Sequence, residues 1–273
     1  YQQRANSWML MVASFGFVIS TLPVQILLPM IGWRSIFLLI SILILLSIIL
    51  ILVFTPSWNN NPKNTITQEK GNLSDVWKNK FFISLIPLCF LNYGGVQAVQ
   101  TLWAGPWMLN VAGYSPLDSA TGLFWINITM LFAFMFWGYI LPKFSSLGID
   151  SIKIVKIGLP ISYVVLFSII IMGQNAGAIM FTLYILSSIV LSLTQPALAL
   201  SFPQNLAGKS LTSINVFIHS GTFFVQWGIG LLIDLSKNMG ASTVTSYKIS
   251  FSIFLILCIF SYLFFIYFNK NEN

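Results

Sequence analysis

The sequence predicts an all-α fold, a polytopic membrane helix bundle of about eight transmembrane helices. Three observations predict it. Hydrophobic residues make up 57% of the chain and charged residues 7%, with a mean hydropathy of +0.86; a soluble domain carries about 25% charged residues. So few charges cannot cover a water-facing surface, and lipid is the fitting solvent. The apolar residues are gathered into runs of bilayer length, about 20 residues in a helix. The basic residues fall between those runs, and mostly on one side.

The apolar runs lie near 8–30, 35–54, 82–111, 120–141, 154–173, 178–200, 211–235 and 250–268. Backbone amides in lipid must bond within their own segment, so these runs read as helices. Barrel strands would show shorter, strictly alternating runs. The third run is long for one span. Its Gly94-Gly95 pair and Gly105-Pro106 step fit either a broken helix beside a cavity or a tilted helix with an interfacial extension. The longest polar stretch, 56–80, leaves two spans before it and six after. Within it, 72–77 reads as a short amphipathic surface helix.

Alternate loops sort the basic residues. One set holds Arg4, Lys63, Lys70, Lys78, Lys80, Lys143, Lys153, Lys156, Lys209 and Lys270; the other holds Arg34, Lys237 and Lys248. This asymmetry places both termini and the long loop in the cytoplasm. The net charge of +7 does not indicate nucleic acid, because the basic residues form no stripe and no aromatic RNA-binding motif accompanies them. Cys89 and Cys258 sit inside apolar runs with no metal-ligand or disulfide spacing. No cofactor motif is present. The chain opens on Tyr1 with a short polar stretch and no signal peptide, which suggests a piece of a longer protein.

Several stretches resemble one family. Gly32-Trp33-Arg34 with Phe37, between two spans, resembles the hairpin joining helices five and six of major facilitator superfamily transporters, and the next span ends at Thr55-Pro56 as their sixth helix often does. Gly138-Tyr139-Ile140-Leu141-Pro142-Lys143 is similar to a degraded copy of the family's loop signature, with Pro142 in place of the acid and Gly148, Lys153 and Lys156 echoing its later part. Pro203 to Lys209 resembles the turn between helices ten and eleven. Leu102-Trp103-Ala104-Gly105-Pro106-Trp107 and Gln226-Trp227-Gly228-Ile229-Gly230 into Asp234 resemble helices seven and eleven of a bacterial subgroup.

The resemblance implies helices 5–12 of a bacterial facilitator. Residues 1–55 would be the last two helices of the N-terminal bundle, 56–80 the cytoplasmic linker loop, and 81–273 the C-terminal six-helix bundle. It implies secondary active transport of a small solute by alternating access, in a cytoplasmic (inner) membrane. A full transporter would also need the first four helices.

The resemblance also implies that the third, sixth and seventh spans line a cavity. Tyr93, Gln97 and Gln100 share one helical face of the third span, with Asn92 beside them. Asn215, His219, Thr222 and Gln226 share one face of the seventh, and Gln195 precedes the bend expected at Pro196 in the sixth. Asn127 stands alone in the fourth. Polar side chains in lipid are costly, so these should face a cavity or another helix. Asn and Gln often simply bond a neighbouring helix. The one histidine, His219, reads either as a proton carrier or as a neutral structural group. Trp103 and Trp107 either stack on a solute or anchor at the interface. Gly228 and Gly230 suit close helix packing, and Arg34 and Asp234 suit anchoring or an ion pair near span ends.

No charged residue lies deep in any span. A coupling ion would therefore rely on a carboxylate in the missing helices or on another scheme. No phosphate-cradling loop or nucleophile motif appears, which disfavours an ATP-driven pump. Two other readings stay open: a polytopic membrane enzyme acting on lipid-linked substrates, and a truncated, non-functional transporter fragment.

Overall fold

A computed structural model describes residues 2–55, 72–146 and 150–269, with side chains described from Trp8 onward apart from Pro142, Ser145 and Ser146. Most of the 56–80 linker, including Lys63 and Lys70, lies outside the described residues, as do Gly148 and Lys270. The helices are α1 (Gln2–Ile19), α2 (Leu22–Phe54), α3 (Leu73–Lys78), α4 (Lys80–Asn110), α5 (Pro116–Ser146), α6 (Ser151–Met172), α7 (Ala178–Leu200), α8 (Gln204–Asn238) and α9 (Thr243–Asn269). Seven of these, α2 and α4 to α9, are long and apolar enough to cross a membrane. The chain is a multi-pass α-helical membrane protein.

The first two predicted spans are divided differently from expectation. The first breaks at Ser20–Thr21, leaving Trp8–Ile19 as a shorter apolar helix. The helical break inside α2 falls at Gly32, whose φ of 73° only glycine adopts cheaply. That is the Gly-Trp-Arg turn, and the Arg34 guanidinium lies 4.6 Å from the Trp33 ring centroid. α2 buries none of its residues, while α1 packs along α5, with Trp8 edge-on to Tyr139. The short helix expected near 72–77 is α3, capped by the Asn72 side chain.

α4 is one long helix with two π-helical turns, Cys89–Tyr93 and Val99–Trp103. The second ends three residues before Pro106, where a wider turn relieves the clash between the proline ring and the Leu102 carbonyl four residues back. The Gly94-Gly95 pair serves packing. A Cβ on Gly94 would lie 2.6 Å from the Ile218 carbonyl oxygen on α8, and one on Gly95 2.5 Å from the Phe254 ring on α9. On α8 the matching residue is Gly221, where a Cβ would run into the Phe90 carbonyl oxygen. Gly228, expected to allow close packing, has open space around its Cβ position; Gly230 meets only the Trp103 ring, at 3.4 Å.

Two apolar clusters make the core of α4 to α9. One surrounds Trp107, Phe181 and Phe251 near the Gly113 turn; the other surrounds Phe82, Leu159, Ile214 and Phe265 near the lysine-rich ends. Hydroxyls inside helices bond back to carbonyls three or four residues earlier, as at Ser41, Ser162 and Ser188, which removes the cost of placing them in lipid. Among the described residues no buried side-chain nitrogen or oxygen lacks a partner.

Candidate solute cavity

A cavity of about 80 Å³ lies between α1, α4, α5 and α7. Leu10, Ser14 and Phe17 come from α1, Tyr93, Gln97 and Gln100 from α4, Met130 and Phe134 from α5, and Ser188 and Ser192 from α7. The wall is apolar with amide and hydroxyl groups set into it, and it carries no charge. On the side of the Gly113 turn lies a second, wider space of about 340 Å³, lined by Ser20, Thr21 and Gln25 together with Gln100, Thr101 and Asn127.

A polar clasp separates the two. Gln100 Nε2 donates to Asn127 Oδ1 at 2.7 Å, and Asn127 Nδ2 donates to the Phe17 carbonyl oxygen at 3.3 Å. The clasp joins three helices, α4, α5 and α1. Gln100 and Phe17 border both spaces.

Not every polar group in the wall is committed. The hydroxyls of Ser14, Ser188 and Ser192 bond back to their own helices. Gln97 Oε1 accepts from Thr222 Oγ1 at 3.1 Å. Among the described residues, the Tyr93 hydroxyl and the Gln97 amide NH2 have no hydrogen-bond partner. Gln100 Oε1 likewise accepts no bond among the described residues, so these three groups are left to meet a ligand.

The polar face expected on α8 points toward α4 and α7. Gln195 Nε2 donates to Asn215 Oδ1 at 2.7 Å, and Gln226 Nε2 donates to Thr101 Oγ1 at 3.0 Å. The bend expected at Pro196 is a 3₁₀ turn, Ile189–Leu193, just before it. His219 is exposed on the same face of α8, beside these pairs and outside the cavity wall.

Asn92, Trp103 and Trp107 sit elsewhere. Asn92 is buried and turned away from the cavity: its Nδ2 donates to Ser261 Oγ at 2.7 Å and its Oδ1 accepts from Tyr163 at 2.8 Å. It fastens α4 to α6 and α9. Asn92→Leu is therefore expected to cost about 1 kcal/mol, because the Tyr163 hydroxyl loses its 2.8 Å bond and keeps only the longer one to the Cys258 carbonyl oxygen, at 3.4 Å. The check is a thermal melt in detergent alongside flux, with stability falling while substrate selectivity holds. Trp103 bonds the Gln226 carbonyl oxygen through Nε1 at 3.1 Å and stands edge-on to Tyr247. Trp107 neither stacks on an open site nor anchors at an interface; it is fully buried and donates to the Ala176 carbonyl oxygen.

Ser14, Phe17, Ser188 and Ser192 were not singled out by the sequence. Serine is ordinary in membrane helices, and no pattern marks these four.

Long apolar helices surrounding an uncharged cavity define a polytopic membrane protein of the helix-bundle class. The sequence model of the Major Facilitator Superfamily matches residues 1–226, and the chain belongs to that family. The family's members are transporters and not enzymes, and the class of activity is membrane transport of a solute. A search of curated proteins gives no match.

Proposed function

We propose that this protein is a secondary transporter that carries a small, uncharged solute through the cavity between α1, α4, α5 and α7 by alternating access. The observation that carries this reading is the uncharged cavity wall with three uncommitted polar groups, the Tyr93 hydroxyl, the Gln97 amide NH2 and Gln100 Oε1. A charged solute would enter such a wall without a counter-charge, at high desolvation cost. Small-molecule sites generally occupy about 300–1,000 Å³, so a cavity of about 80 Å³ fits a contracted state. Opening the Gln100–Asn127 clasp would join it to the wider space of about 340 Å³. The basic-residue asymmetry supports a cytoplasmic-membrane location with the lysine-rich ends inside. On that reading residues 1–55 belong to an N-terminal bundle, 81–273 form the C-terminal one, and the coupling ion acts on other groups than those lining this cavity.

The test is uptake of a panel of neutral solutes into proteoliposomes, with and without an imposed proton or sodium gradient. Gradient-dependent accumulation is expected for at least one solute, with Gln97→Ala lowering its flux about tenfold or more. Equal uptake with and without either gradient would rule out secondary active transport. The membrane-enzyme reading gains no support: Asp118 accepts from Ser115 at the start of α5, Asp150 precedes the lysine-rich start of α6 without a side-chain bond to it, and Asp234 is exposed on α8.

A further inference from the structure

A third space lies at the other end of the bundle. It is an open pocket of about 620 Å³ where the starts of α4 and α6 meet the ends of α7 and α9. Lys80, Lys156 and Asp150 line it, with Ser201 and Asn269 on its far wall. From this placement the geometry points to a binding site for a singly charged phosphate group, the chemistry shared by an anionic phospholipid headgroup and free phosphate.

Lys156 is held inward. Its backbone carbonyl accepts from the Tyr262 hydroxyl at 2.6 Å, and its Nζ lies 6.0 Å from the Phe265 ring centroid. A lysine at a membrane surface usually extends its ammonium to water; this one is half-buried against an aromatic face. Among the described residues neither Lys80 nor Lys156 forms an ion pair. Among the described residues that line the pocket, two cations and one carboxylate leave one net positive charge. That balance suits a phosphodiester better than a doubly charged phosphate. The first turns of α4 and α6 also open here. Asn79 already caps α4 through its side chain, whereas the Asp150 side chain makes no such bond to α6, so the amides of α6 add to the positive field. Basic pockets between membrane helices on the cytoplasmic side are known hosts of phosphate headgroups. The site lies apart from the solute cavity, so its failure would leave the transport reading untouched.

The experiment is a binding titration of the purified protein in neutral detergent, read by native mass spectrometry. The probes are short-chain phosphatidylglycerol, short-chain phosphatidylcholine and inorganic phosphate. Phosphatidylglycerol is expected to bind, and the Lys80→Gln/Lys156→Gln double variant to bind it at least tenfold more weakly. Lys156→Arg should retain binding, and Lys237→Gln, at the opposite end, should bind as the unaltered protein does. Displacement of the lipid by inorganic phosphate would support the site with the free anion as its source; failure to displace would support the headgroup. Equal binding by the double variant and the unaltered protein, or equal binding of phosphatidylcholine, would overturn the proposal.

Discussion

Gly221→Ala is expected to lower the stability of the bundle by about 3 kcal/mol, near the upper end of ordinary overpacking costs. The added methyl would run into the Phe90 carbonyl oxygen on α4, and a backbone atom cannot swing aside as a side chain can. The crossing is tight from both sides, because a Cβ on Gly94 would meet the Ile218 carbonyl oxygen at 2.6 Å and the Thr222 nitrogen at 2.7 Å. α4 and α8 would have to separate. Alanine favours a helix over glycine by about 1 kcal/mol, which offsets only part of the loss. The melting temperature in detergent should fall by roughly 5–10 °C. Gly228→Ala on the same helix meets nothing and should change stability little or raise it slightly. The crossing also sets the Gln97–Thr222 bond at 3.1 Å, so solute flux should fall with Gly221→Ala even below its melting temperature. An unchanged melt would mean that α4 and α8 do not touch here.

The second large effect is on opening. Asn127→Leu keeps the branched shape of the side chain and removes both bonds of the clasp, to Gln100 and to the Phe17 carbonyl. Bonds between membrane helices average about 0.6 kcal/mol each, so two give about 1.2 kcal/mol, or about a sevenfold shift toward the open form. A cysteine at Ser188, on the cavity wall, reports this directly, in a background where the buried Cys89 and Cys258 are replaced by alanine. Its labelling by a membrane-impermeant thiol reagent should speed up by about that factor from the side of the Gly113 turn. An unchanged rate would show that the clasp does not control access.

The helices were legible because lipid imposes one rule, that every backbone group must bond within its segment. Hydropathy alone therefore located the spans from α4 to α9. The split of the first run at Ser20–Thr21 was not legible, since neither residue breaks an apolar run. The face shared by Tyr93, Gln97 and Gln100 was legible because side chains four and three residues apart align on a helix, and all three line the cavity. Asn92 is polar too, but one residue's rotation turns it toward α6 and α9. Gly221 and Gly228 look alike in sequence; only the path of α4 makes one indispensable and leaves the other free. Asn127 seemed isolated because its partner Gln100 lies on another helix. The α1 contribution to the cavity depends on how α1 packs on α5, which no local pattern encodes.

On the proposed function, the space around Ser188 is the solute path. The most direct measurement is labelling of the Ser188→Cys variant by the impermeant reagent, applied separately to each face of sealed proteoliposomes. Ser188 is only 2% exposed, so water reaches it only if the cavity opens. Labelling is expected from either face, with a transported solute slowing both reactions. A cysteine that reacts from one face only, or from neither, would contradict it.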